Sequence, residues 1–88
     1  MTDAERLHRA VGRRVRELRD MRGLTQERLA HEASLHPVFV SRVERGATGV
    51  TVDTVTALCT VLGITLAEFF KPFAQPFRLR GPRRVRRS

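Results

Sequence analysis

Apolar residues recur in the first quarter of the chain at Leu7, Val11, Val15 and Leu18, with Met21 extending the series, at intervals of four, four, three and three. This spacing keeps them on one face of a helix. Thr2 and Glu5 stand ahead of the series at capping-box spacing, and Gly23 follows it. A first helix is therefore predicted over about residues 3 to 21. Its opposite face carries Arg6, Arg9, Arg13, Arg16 and Arg19 with Glu17 and Asp20 among them, which reads as a solvated charged surface.

The pattern shortens between residues 24 and 46. Thr25 can cap a second helix, Leu24 and Leu29 can staple its first turn, and Leu29, Ala30 and Ala33 face inward. The pattern lapses over Ser34 to His36 and restarts at Pro37, a residue suited to the first helical position because its missing N–H costs nothing there. Leu35 and Val40 repeat the staple, Val40 and Val43 form the inward stripe, and Gly46 ends this third helix. Pro37, Val38, Ser41, Arg42 and Arg45 are left on the outside.

A fourth helix is predicted after a loop at Ala47 to Val50. Thr51 serves as its cap, Asp53 lies in the first turn, and Val52, Val55, Leu58, Cys59 and Leu62 form the inward stripe, with Gly63 as the stop. Thr65 to Glu68 is a capping box opening a fifth, shorter helix that ends before Pro72. No strand pattern and no internal repeat is present. The predicted fold is all-α, five helices in one domain over residues 1–71, with an irregular, arginine-rich extension over 72–88.

Composition sharpens this picture. The 88 residues, 41% of them hydrophobic, suit one small domain without the volume for a deep substrate cavity. The net charge is +8, and residues 71–88 supply +7 of it through Lys71, Arg78, Arg80, Arg83, Arg84, Arg86 and Arg87 without one acid. The helical part is nearly balanced, so a basic face there depends on placement rather than on total charge. The absence of an 18-residue apolar run and of an apolar leader predicts a cytoplasmic protein. Cys59 is the single cysteine; it cannot form an internal disulfide and is expected in the core. His8, His31, His36 and Cys59 lack metal-site spacing, Ser34 and Ser41 lack a base with an orienting partner, and no glycine-rich phosphate loop occurs. No enzymatic activity, cofactor or metal is expected.

Two helices joined by a short turn, the second presenting polar and basic groups, match the arrangement that reads a DNA major groove. The residues themselves go further. Leu24-Thr25-Gln26, Leu29-Ala30, the run Phe39-Val40-Ser41-Arg42-Val43-Glu44-Arg45-Gly46 and Leu62-Gly63 together resemble the helix-turn-helix regulators of the phage repressor and Cro type, the XRE family. The resemblance covers roughly residues 7 to 70 and implies a lambda-repressor-like DNA-binding fold. It further implies double-stranded DNA binding as a homodimeric transcriptional regulator, with the third helix in the major groove. Carried over position by position, the base-facing residues are Pro37, Val38, Ser41 and Arg42. Arg42 is the expected reader, because a guanidinium can donate two bonds to guanine O6 and N7, whereas Val38 offers only apolar contact, for example to a thymine methyl. Thr25, Gln26, Arg45 and the loop from Thr48 to Thr51 resemble the phosphate-contacting positions. Arg19 is expected to pair with Glu44.

The chain departs from the family pattern at Pro37 and Val38, where longer polar side chains often read bases. One long polar reader per helix defines few base pairs, so selectivity calls for two half-sites and a dimer. Four of five phenylalanines fall between 69 and 77. Phe69, Phe70, Phe73 and Phe77 form the expected dimer interface, against the competing reading that Phe69, Phe70 and Phe73 pack on Leu7 and Val11. The arginine-rich extension has three readings: DNA phosphates, an acidic partner or anionic membrane, or a solubilising arm. A DNA-binding antitoxin or a restriction-modification controller, whose C-terminal part binds a protein partner, is the alternative role. A module that binds no DNA becomes the better reading if Arg42 and Gln26 are buried or paired.

Overall fold

The longest apolar series folds as α1, Asp3–Met21. Its start is fixed twice: the Glu5 N–H donates to Thr2 Oγ1 at 3.1 Å and the Thr2 N–H donates to Glu5 Oε1 at 2.8 Å. The computed structural model describes residues 1–73 of the chain. In these residues α1 is followed by α2 (Gln26–Glu32), α3 (Pro37–Glu44), α4 (Val52–Leu62) and α5 (Leu66–Phe70), then a 3-10 turn over Lys71–Phe73. No strand occurs among the described residues. Threonine hydroxyls at Thr25, Thr51 and Thr65 each accept the N–H three residues ahead, occupying donors that a helix start otherwise leaves open.

The first four helices share one stop. In each, a residue in the left-handed region follows the last turn: Gly23, Ser34, Gly46 and Gly63, at φ of 66°, 58°, 72° and 71°. The next N–H then reaches back five residues, from Leu24 to Arg19, Leu35 to Ala30, Ala47 to Arg42 and Ile64 to Cys59, at 2.8–3.1 Å. This is the Schellman arrangement. Three glycines adopt it freely, whereas Ser34 carries a Cβ into a conformation that disfavours it. Ser34 is the turn residue between α2 and α3.

The core gathers one stripe from every helix: Val11, Val15 and Leu18 of α1, Leu29 and Ala30 of α2, Val40 and Val43 of α3, Val55, Leu58, Cys59 and Leu62 of α4, and Phe69 of α5. Each larger side chain buried in it contributes about 1.5–3 kcal/mol. Burial also pushes the Cys59 thiol up, with Arg14 opposing weakly, so the thiol stays protonated at neutral pH. Two expected inward residues lie outside. Met21 is the last residue of α1 and Val52 the first of α4, and both overhang the core at 75% and 72% exposure.

The C-terminal elements correct the sequence reading further. Phe69 is fully buried, so it belongs to the core and cannot present its ring to a second copy. Phe70 stands edge-on to Phe69 and Phe73, with ring centroids 4.8 and 5.2 Å away. α5 ends before Pro72 as expected, and the 3-10 turn then carries the packed chain through Pro72 and brings Phe73 against the core. Phe77 and the arginines from Arg78 onward lie outside the described residues. Arg14 ties this end down. Its Nε donates to the Phe69 carbonyl at 2.8 Å and its Nη2 to the Glu68 carbonyl at 2.7 Å, covering acceptors left open where α5 ends.

Candidate nucleic-acid interface

The surface of α3 is set by how closely that helix approaches α1. Gly12 is buried at the crossing, and a Cβ built there falls 2.7 Å from the Glu44 carbonyl oxygen and closer still to that of Val43. Only a residue without a Cβ permits this approach. Gly46 repeats it one step on, its missing Cβ facing Arg9 Cα at 2.9 Å. With its inner side pressed on α1, α3 turns Pro37, Val38, Ser41, Arg42 and Arg45 outward on one continuous face.

Both ends of α3 are pinned. At the start, His36 is the cap: its Nδ1 accepts the Val38 N–H at 3.1 Å. At the end, Glu44 is buried and gathers three helices. Arg19 of α1 donates from Nε to Glu44 Oε2 at 2.6 Å and from Nη2 to Oε1 at 3.0 Å. Gln26, the first residue of α2, donates Nε2 to Oε1 at 2.9 Å. Arg19 Nη1 also donates to the Leu24 carbonyl at 2.7 Å. The Glu44 and Arg19 side chains retain 3% and 12% exposure. The Glu44 hydrogen bond raises the Arg19 pKa above its ordinary value, so the guanidinium is charged at any pH the fold survives. A buried pair of this kind adds little net stability but fixes geometry, here the angle of α3 relative to the start of α2.

The other candidate residues surround this anchor. Val38 is 59% exposed. Pro37, Arg42 and Arg45 are exposed and Ser41 is half-buried. Arg42 makes no side-chain hydrogen bond or ion pair among the described residues, while Arg45 Nε reaches the Ser41 carbonyl only at 3.4 Å. Glu44 is the one acid of α3 and it is turned inward, so the outer face carries two guanidiniums and no carboxylate. Around its edge, the Thr25 hydroxyl accepts from the Arg28 N–H, Thr48 Oγ1 donates to the Gly49 carbonyl at 3.3 Å, and Thr51 Oγ1 caps α4. Gln26 is half-buried and commits one N–H to Glu44, which leaves its second N–H and its carbonyl for another partner. Of the two residues whose burial or pairing would have favoured a module that binds no DNA, Gln26 is paired in this limited way and Arg42 is not.

Four contributors escape sequence reasoning. Gly12 reads as a weak point of helix propensity until α3 is laid across it. Arg14 reads as one more exposed charge, yet it holds α5. His36 reads as a solvated histidine, yet it caps α3. His8 lies against the loop after α3, with its Nε2 2.8 Å from where a Gly49 Cβ would sit. Among the described residues no group of three His, Cys, Asp or Glu side chains could hold a metal, and no single helix is long and apolar enough to cross a membrane.

Comparison with known proteins places this geometry. The family model described as a helix-turn-helix domain matches residues 10–69. The HTH-type transcriptional regulator PuuR of Escherichia coli is 33% identical over 67 residues, which is 76% of this chain but 36% of the relative, so the chain spans about a third of that regulator's length. Among solved structures, the restriction-modification controller protein C.AhdI of Aeromonas hydrophila superposes with a TM-score of 0.69 at 40% identity, over 72% of this chain and 96% of that one. The controller protein C.Esp1396I, solved as a tetramer with its natural 35 base-pair operator, gives 0.72 at 25% identity, over 78% and 91% of the two chains. These relatives are regulators rather than enzymes. The chain belongs to the helix-turn-helix transcriptional regulators of the phage repressor and Cro type, the XRE family.

Proposed function

We propose that the chain binds double-stranded DNA as a cytoplasmic homodimeric transcriptional regulator and has no catalytic activity, with α3 lying in the major groove. The observation that carries this reading is the outer face of α3. Arg42 stands unpaired on it, on a helix whose angle is fixed by the Arg19–Glu44–Gln26 cluster. Arg42 reads guanine O6 and N7, worth about 1–3 kcal/mol of discrimination. Val38 offers an apolar contact, with Pro37 and Ser41 lining the groove floor. Gln26 presents its free amide N–H to a phosphate, and Thr25, Arg45, Thr48 and Thr51 flank it. Phosphate contacts set register and carry no sequence information.

The dimer is proposed to form through α5, where Leu66 and Phe70 lie four residues apart on one face and are each 38% exposed. Phe73 borders them, and Phe69 supports them from within the core. A second reading, a restriction-modification controller, draws on the likeness to C.AhdI, which extends over 96% of that chain.

The test is a gel shift on DNA from the chain's own upstream region, with a salt titration, beside Arg42→Ala and truncation after Phe73. Arg42→Ala is expected to remove site preference. Truncation removes six arginines and is expected to lower affinity and flatten the salt slope while preference survives. Absence of any preferred site in the intact protein would remove the regulatory reading.

A further inference from the structure

A second basic surface lies on α1, reaching the end of α3 only at Arg9, which packs on Gly46. Successive helical residues turn about 100°, which sets Ala10, Arg13, Arg14 and Glu17 roughly 100–160° around α1 from Gly12 and its contact with α3. There α1 and the 3-10 turn bound an open groove of about 580 Å³. Ala10, Pro72 and Phe73 give it an apolar floor, and Arg6, Arg9, Arg13 and Arg14 stand around it. Arg6 is paired with Asp3 at 3.1 Å, and Arg14 with Glu17 at 2.6 Å. Arg9 and Arg13 are exposed and make no ion pair or hydrogen bond among the described residues, although Glu5 feels the charge of Arg9.

With Arg6 and Arg14 matched by Asp3 and Glu17, Arg9 and Arg13 remain as two guanidiniums without a bonded carboxylate beside apolar side chains. Phe73, the last described residue, lines the groove, and residues 74–88 add six arginines and no acid. That segment has the charge of the groove and cannot neutralise it. From this we propose that the groove docks an acidic peptide segment of a partner protein, its carboxylates on Arg9 and Arg13 and one apolar side chain on Phe73 and Ala10. The apolar side chains favour a peptide over a DNA duplex, whose bases are stacked inside and leave only phosphates and sugars for such a groove. The proposal does not depend on DNA binding by α3.

The test uses the full chain and fluorescence anisotropy with two labelled eleven-residue peptides of Glu and Asp, one with a central Phe and one with Ser in its place. The Phe peptide is expected to bind at least about 5-fold tighter than the Ser peptide, a preference that the arginine-rich segment cannot produce by charge alone. Arg9→Glu with Arg13→Glu is expected to weaken the Phe peptide at least 10-fold and erase the preference. Arg9 packs on Gly46, so Arg13→Glu alone is the second variant; Arg13 is exposed, and its replacement should still cost about 3-fold with an unchanged circular dichroism spectrum. Changing Arg83, Arg84, Arg86 and Arg87 to Ser should weaken both peptides equally and keep their ratio. A ratio near one in the wild type, or a ratio untouched by Arg13→Glu, overturns the proposal. So does a single-stranded 15-nucleotide DNA that displaces the Phe peptide and loses as much affinity on Arg13→Glu, because the face is then a nucleic-acid surface.

Discussion

Replacing Gly12 by alanine sets two physical effects against each other. Alanine in a helix interior is worth about 1 kcal/mol over glycine, so at an open position the substitution would stabilise α1. At Gly12 the new Cβ falls 2.7 Å from the Glu44 carbonyl oxygen, where ordinary contact begins at 3.4 Å, and nearer still to Val43. The nearer Val43 oxygen sets the demand, so the helices must separate by about 1 Å. The atoms met are backbone atoms of α3, which cannot rotate aside as a long side chain would. The separation also strains the 2.6 Å Arg19–Glu44 bond across the same interface. Overpacking costs about 1–3 kcal/mol, and the rigidity of the contact puts this case at the upper end. After the propensity gain, a net loss of about 1–2 kcal/mol is expected, or roughly 5–15 °C in Tm for a domain of this size. Thermal denaturation followed by circular dichroism measures it, with Arg13→Ala next door as a control expected to stay within about 0.5 kcal/mol. If Gly12→Ala melts at or above the wild type, the close crossing of α1 and α3 is not how this domain is held.

Further outcomes follow from the same structure. Glu44→Ala leaves the Arg19 guanidinium mostly buried without its carboxylate and should cost about 3–5 kcal/mol in urea denaturation; Glu44→Ala within about 1 kcal/mol of wild type would show the cluster to be incidental. Ser34→Gly relieves a left-handed Cβ and should raise stability by about 0.5–1 kcal/mol, with a lower midpoint as the contrary result. Hydrogen bonds from Thr2 and Thr65 hold the Glu5 and Glu68 carboxyls below their ordinary value of 4.5. Their contribution is therefore fully present above that value and is lost as pH falls below it through the lowered folded-state values. Tm should drop between about pH 5 and pH 3, and Glu5→Gln with Glu68→Gln should flatten that drop; an equally steep drop in the double variant would exclude the two capping boxes as its source. Phe70→Arg should shift sedimentation from dimer to monomer without lowering helix content, and an unchanged dimer would move the interface off α5.

The helix starts were legible because each announces itself locally, through Thr2, Thr25, Thr51 and Thr65 at the caps and Leu24 and Leu35 before the second and third helices. Tertiary partnership was not. Nothing in the spacing of Arg19 and Glu44 joins them, and their pairing entered through the family resemblance. The attachment of Gln26 to the same carboxylate needed the three helices in place. Gly12 and Arg14 are informative only once another element is laid beside them. Four clustered phenylalanines signalled aromatic surface, but which ring turns inward depends on where α5 docks, and that is set by Arg14 holding its terminal carbonyls.

Selection from a library of randomised duplexes by the full chain addresses the central claim most directly, run in parallel with Arg42→Ala. The account predicts a motif of two symmetric half-sites centred about one helical turn apart. Each half-site should contain a guanine that becomes degenerate when Arg42 is replaced, while the rest of the motif persists. An unstructured pool from the wild type, or an identical motif from Arg42→Ala, would contradict base reading by α3.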